Sequence, residues 1–162
     1  MADVQITVDA TKALAKLDHI PLAVRNNLRG IIPDLTKQLG ALVNAKLDTE
    51  LKSRTRIQVK QELVENPTSI YGRVAAVWTG DSKSAMVPQV LESGARAHEI
   101  VAVNAQALSF FWEKMGKNVM FKRVMHPGFP GIHYMANSFA EMRSDIVSKI
   151  RTVVLQGAKD AK

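Results

Sequence analysis

Apolar residues recur at steps of three and four over Leu28, Ile31, Ile32, Leu35, Leu39, Leu42, Val43, Leu47 and Leu51, laying one continuous stripe along a helix that begins near Leu22. Pro33 lacks a backbone donor and its ring crowds the carbonyl four residues earlier. With Gly30 beside it, this predicts a kink near Ile31 or two abutting helices, with Asp34 near the start of the second. A second stripe, Met135, Phe139, Met142, Ile146, Ile150 and Val153, carries Arg143, Asp145, Lys149 and Arg151 between its members and predicts a long amphipathic helix after Gly131. Gly157 reads as its stop, and residues 158–162 as a frayed basic tail.

Elsewhere the period shortens to two. Val4, Ile6 and Val8 alternate with Gln5 and Thr7, which predicts a short strand ending near Asp9. Ala13, Leu14 and Leu17 then give a small helix over Thr11 to Leu17, broken at His19-Ile20-Pro21, where Pro21 suits the first turn of the next helix. Ile57 to Val64 and Ile70 to Trp78 flank Asn66-Pro67-Thr68-Ser69 and predict an antiparallel hairpin. Thr79 to Ser84 reads as a polar loop, and Met86 to Leu91 as a short helix or a strand weakened by Pro88. The expected fold is therefore α+β, one domain over 1–162, in which a mostly antiparallel β-sheet packs against a long kinked N-terminal helix and a long C-terminal amphipathic helix.

The chain has 162 residues, enough for one core and too few to favour two. It has no cysteine, which rules out disulfides and thiolate metal sites and fits synthesis in a reducing cytoplasm. Met1-Ala2-Asp3-Val4-Gln5 carries no signal-peptide pattern, and no apolar run approaches the roughly 20 residues of a membrane helix, so neither secretion nor membrane association is expected. The net charge of +7 is uneven. Six basic residues balance six acidic ones through residue 50, and the whole excess lies beyond it. A basic second part tolerates or attracts polyanions.

Most chemical readings fail on spacing. His98, His126 and His133 share a region with Glu92 and Glu99, but no short pattern fixes two metal ligands on one element, and backbone hydrogen bonding by loop histidines is the simpler reading. Gly80-Asp81-Ser82-Lys83-Ser84 lacks the glycine spacing and Gly-Lys-Ser/Thr ending of a phosphate loop, and no activated-serine motif is present. Glu62 and Glu65 read as solvated edge residues. No cofactor, metal or catalytic residue is expected. Nucleic-acid binding is the serious rival, because Lys114, Lys117, Lys122 and Arg123 flank Phe110, Phe111, Trp112 and Phe121. The alternative is that alternate aromatics enter the core while the lysines solvate the outer face.

The most specific stretch runs from Val90-Leu91-Glu92-Ser93-Gly94 through His98-Glu99-Ile100, Ala107-Leu108-Ser109-Phe110, a turn at Gly116 and Val119 to Val124 to Met125-His126-Pro127-Gly128. With the strand and helices before it and the helix after it, this order resembles the tail-completion or neck proteins of long-tailed bacteriophages. The chain departs from that pattern in having Ala95 after the glycine, and it has no Gly-x-Leu segment between Leu51 and Ile57. The resemblance implies a glutamate and glycine closing a strand, an aromatic hairpin, and a His-Pro-Gly turn into the last helix. It also implies a structural virion component, not an enzyme, in a homo-oligomeric ring for which a hexamer is one candidate. Its partners would be the tail tube or terminator and the head connector, with non-specific contact to passing DNA. Assembly would take place in the host cytoplasm. On that reading Thr79 to Pro88 and the linker 95–106 are adaptable contact segments, and Arg96, Lys114, Lys117, Lys122 and Arg123 face a neighbouring copy or the DNA path.

Overall fold

The computed structural model describes residues 4–9, 22–51, 56–66 and 69–160. The small helix expected over Thr11 to Leu17, the break at Pro21 and the tip of the Asn66 turn lie outside them. Along the chain come β1 (Val4–Asp9), α1 (Leu22–Glu50), β2 (Ile57–Asn66), β3 (Ser69–Trp78), α2 (Val87–Ser93), β4 (Gly94–Ala95) and β5 (His98–Val101). They are followed by β6 (Leu108–Trp112), β7 (Lys117–Phe121), β8 (Arg123–His126), β9 (Phe129–Pro130) and α3 (Tyr134–Asp160). The architecture is α+β, and all strand pairing is antiparallel. It is divided, however, between a three-stranded sheet in the order β1-β3-β2 and three two-stranded ladders.

The body is built on α1. Its stripe buries Val24, Leu28, Ile32, Leu35, Leu39, Val43 and Leu47. One part of the core joins Leu39, Val43 and Leu47 to Ile57, Val74, Ala76, Tyr134 and Met135, and another joins Val24, Leu28 and Ile32 to Ile70, with Ile150, Val153 and Val154 packed on them. The Arg29 guanidinium pairs with Glu65 near one end of β2, and Gly40 lies against Gln61 farther along. Helix and strand therefore run in opposite directions. α3 lies antiparallel to α1, with Lys46 Nζ 2.8 Å from Glu141 and Lys149 Nζ donating to Gln38 at 3.4 Å.

Of the two alternatives at Pro33, a kink or two abutting helices, the second is excluded: Pro33 sits inside one continuous helix on its exposed side, where water can serve the backbone carbonyl that loses its partner. One sequence expectation needs correction here. Gly157 does not stop the last helix, which runs on to Asp160. It marks a close approach instead: a Cβ there would lie 2.7 Å from the Val24 Cα and 2.8 Å from its backbone nitrogen. Replacing glycine by alanine inside a helix normally gains about 1 kcal/mol. Here the new methyl meets backbone that cannot swing aside, and overpacking costs about 1–3 kcal/mol. Gly157→Ala is expected to lower stability by about 1 kcal/mol, read as a lower urea midpoint with an unchanged slope.

Candidate functional site

Residues 94–130 leave the body as one long antiparallel arm. Gly94 pairs with Pro130, Ala95 with Phe129, His98 with His126 and Val101 with Arg123, a single register carried through two short ladders. Leu108 then pairs with Phe121 and Trp112 with Lys117, so five extra residues have entered the outgoing strand. They form a bulge over 102–107 opposite Lys122, whose carbonyl accepts the Ala102 N–H at 3.2 Å. The 3-10 turn Glu113–Met115 and Gly116, in the left-handed region at φ 59°, close the tip. At about 3.3 Å per residue the return strand spans on the order of 40 Å. Beyond its root the arm makes no more than incidental contact with the helices or the three-stranded sheet.

The root is a clasp built by α2. Resemblance implied that Leu91 to Gly94 closes a strand; these residues instead end a helix whose first turn holds Pro88. The Glu92 carboxylate leaves that helix to cap another. It accepts the Met135 N–H at 2.8 Å and the Ala136 N–H at 3.0 Å, satisfying free donors at the positive end of α3. Backbone bonds from Ile132 N to the Leu91 carbonyl (2.9 Å) and from His133 N to the Glu92 carbonyl (3.2 Å) tie the same segments together. Tyr134, 1% exposed, donates its hydroxyl to the Pro88 carbonyl at 3.0 Å. Burial, with the Glu92 charge beside it, pushes its phenol well above the ordinary range. On the other strand Gly128 has φ 78°, and a Cβ there would lie 2.3 Å from the Ala95 carbonyl oxygen. Only glycine fits the turn of His126-Pro127-Gly128 against the outgoing strand.

The histidines stand on this root as paired rings. His98 and His126 stack with centroids 5.1 Å apart and planes 26° apart. His126 Nδ1 accepts the Gly128 N–H at 3.0 Å, which fixes its proton on Nε2, while His98 Nδ1 faces the Arg96 carbonyl at 2.8 Å and must carry its proton there. They serve backbone groups as expected, but from the paired strands β5 and β8 and not from loops. His133 is exposed and stands apart at φ 51°. Among the described residues no three His, Asp or Glu side chains are grouped to hold a metal ion. Gly80 to Ser84 forms a short 3-10 turn capped by Asp81, which accepts the Ser84 N–H at 3.0 Å. Glu62 and Glu65 are exposed and ion-paired with Arg73 and Arg29.

The aromatic tip overturns one sequence reading. The alternate aromatics do not enter the core: Phe110, Trp112 and Phe121 are 37%, 39% and 40% exposed on one face, and Phe111 and Met120 are 60% and 70% exposed on the other. On the first face the Phe121 ring gathers Phe110 at 6.2 Å and Trp112 at 6.0 Å into one cluster. Three consecutive apolar residues, Phe110-Phe111-Trp112, already carried the signal, since a strand sends neighbours to opposite faces and a hairpin laid on a core buries only one. Ile100, Val101, Val103, Met115, Met125 and Phe129 extend the exposed apolar surface along the arm. Ile100, Val101 and Val103 fall within the 95–106 segment that the sequence marked as a contact element, whereas Met115, Met125 and Phe129 lie outside every segment so marked.

All five basic residues assigned to a ring contact or DNA path fall on the arm and are exposed, but they do not converge. Arg96 is at the root, Lys114 in the tip turn, Lys117 beside Trp112 on the aromatic face and Lys122 opposite the bulge. Arg123 reaches back to Glu99 at 3.3 Å. The segment read as a linker over 95–106 contains strand β5, and the stretch Val119 to Val124 is divided between β7 and β8 by a bend at Lys122. Thr79 to Pro88 contains the capped 3-10 turn and the start of α2. No protein-family model matches this chain, and no curated protein or solved structure is significantly similar to it. Among the described residues no helix is long and apolar enough to cross a membrane.

Proposed function

We propose that this protein is a structural component of a tailed-phage virion, completing the tail or joining it to the head as one copy in a ring at the neck. The observation that carries the reading is the arm: a clamped root, about 40 Å of ribbon and apolar side chains on both faces. Contiguous exposed apolar surface of this extent marks a contact site. The resemblance of the segment from Glu92 to Gly128 to neck proteins supplies the setting, and the tail tube or terminator and the head connector are the partners it proposes. An isolated nucleic-acid-binding module is less well supported. Such a module needs cations along a groove with ring faces open to bases, whereas here the cations are scattered and three of the rings lean on one another.

The test is solution mass over a range of protein and salt concentration, with negative-stain images of the heaviest fraction, alone and after mixing with tail tubes or head connectors. Closed rings wide enough to pass a DNA duplex are expected. A strict monomer that ignores both partners and binds DNA with a steep salt dependence would replace this reading with the nucleic-acid one. Reversing the charge of Lys114, Lys117, Lys122 and Arg123 together is the companion variant. If ring formation, virion assembly and DNA retention all survive it, those four residues have no part in the function.

A further inference from the structure

The arm tip is unfinished as it stands. Strands β6 and β7 form a two-stranded sheet with no third strand among the described residues, so each presents an outer edge of backbone donors and acceptors. Hairpins of two strands are marginal in water and gain stability from further strands or from packing. Here the packing is missing on both sides, because Phe110, Trp112 and Phe121 crowd one face while Phe111 and Met120 project from the other.

We propose that the tip is completed by a second copy of this chain, the outer edge of β6 in one copy pairing with the outer edge of β7 in the next. This rests on the ring reading above and names the surface that would close the ring. The geometry favours that pairing over its alternatives. Because β6 and β7 are antiparallel within one hairpin, two hairpins pointing the same way meet β7 to β6 in antiparallel register, and every edge is satisfied only when the series closes on itself. Pairing β6 with β6 stops at a dimer and leaves both β7 edges open.

Area sets how much the tip contributes. With aromatic side chains presenting about 150–250 Å² each, the tip exposes on the order of 500 Å² of apolar residue surface, and the whole arm roughly 1,000 Å² once Ile100, Val101, Val103, Met125 and Phe129 are included. A stable protein contact takes about 800 Å² from each partner, and each copy in a ring divides its arm between two neighbours, so tip pairing supplies part of each contact and the body supplies the rest. Folding back onto its own body is opposed by the clasp at Glu92 and Gly128, which fixes the root against α3 and β4.

The experiment uses the full chain, in which no native cysteine competes for labelling. Sedimentation velocity up to about 100 µM compares the wild type with Phe111→Ser/Met120→Ser, both on one face of the tip and remote from the core. Asn118→Cys, carrying a benzophenone, is cross-linked in a mixture of light and heavy-nitrogen copies. The wild type is expected to self-associate and the double variant to associate on the order of 100-fold more weakly, with helical circular dichroism and unfolding midpoint unchanged. Cross-links should join tip peptides of different copies. An oligomer that tolerates the double substitution, with the benzophenone at position 118 linked to a neighbour's helices, would overturn tip pairing and leave the ring reading standing. A wild type that stays monomeric also overturns it. If that monomer is captured by single-stranded DNA or phospholipid vesicles through Phe111 and Met120, and is indifferent to tail tubes and connectors, the ring reading falls as well.

Discussion

Glu92→Ala is expected to lower the unfolding free energy by about 2 kcal/mol, the cost of removing a charged acceptor from one part-buried and one exposed backbone donor. The carboxylate holds the N–H groups of Met135 and Ala136 at 2.8 and 3.0 Å. It does so from a different helix, so its loss releases two things together. The first turn of α3 loses its cap and its favourable charge at the positive end, and the root of the arm loses the side-chain tie between α2 and α3, leaving the backbone bonds from Ile132 and His133. Glu92→Gln keeps one acceptor oxygen and should lose roughly half as much. Urea titration measures the total, and hydrogen exchange separates the parts: faster exchange at Ile132, His133, Met135 and Ala136 is expected, with Leu39 and Val43 in the core following only the global change. A loss below about 0.5 kcal/mol would mean that water replaces the carboxylate and that Glu92 is no clasp.

The helices were legible because burial alone sets their period. Every third or fourth residue of α1 faces the sheet or α3, and the stripe from Leu28 to Leu47 reads directly as the buried series. The β2–β3 hairpin was legible from its turn residues and from β3, whose Ile70, Val74 and Ala76 face the core, while β2 buries only Ile57. Signals that fail are those with two physical origins. A glycine after an amphipathic run marks a helix end or a close approach, and Gly157 is the second because Val24 lies against it. Pro33 left a kink or a split open, and the continuity of α1, set by packing along its whole length, excludes the split.

The arm was only half legible. Its basic residues, turns and ladders stand in the order the sequence suggested, since Gly116, Pro127 and Gly128 punctuate it locally. Its separation from the body was missed because aromatic strands ordinarily mean a core, and nothing local states whether that core belongs to the same copy. Glu92 was placed at the end of a strand and Tyr134 was not singled out at all. Their pairing with the α3 terminus and Pro88 joins residues more than forty positions apart, a distance at which spacing carries no information.

Tyr134 should make this protein lose stability in alkali, and a single substitution should reverse the order of the two chains. The phenol is buried, donates to the Pro88 carbonyl and faces the Glu92 charge, so its folded-state value lies well above the roughly 10 of a free tyrosine. Below about pH 10 both folded and unfolded chains keep the proton, and the hydroxyl contributes its full share. Above that the unfolded chain releases the proton while the folded one retains it, so stability falls by about 1.4 kcal/mol per pH unit until the folded chain also ionises. Tyr134→Phe abolishes this term and sacrifices the hydrogen bond, which at neutral pH costs about 1–2 kcal/mol. Those two magnitudes place a crossover at about pH 11. Urea midpoints for the two proteins from about pH 8 to about pH 11.5 give the result: parallel curves would show that the Tyr134 proton leaves as readily from the folded chain, and that the bond to Pro88 does not hold it.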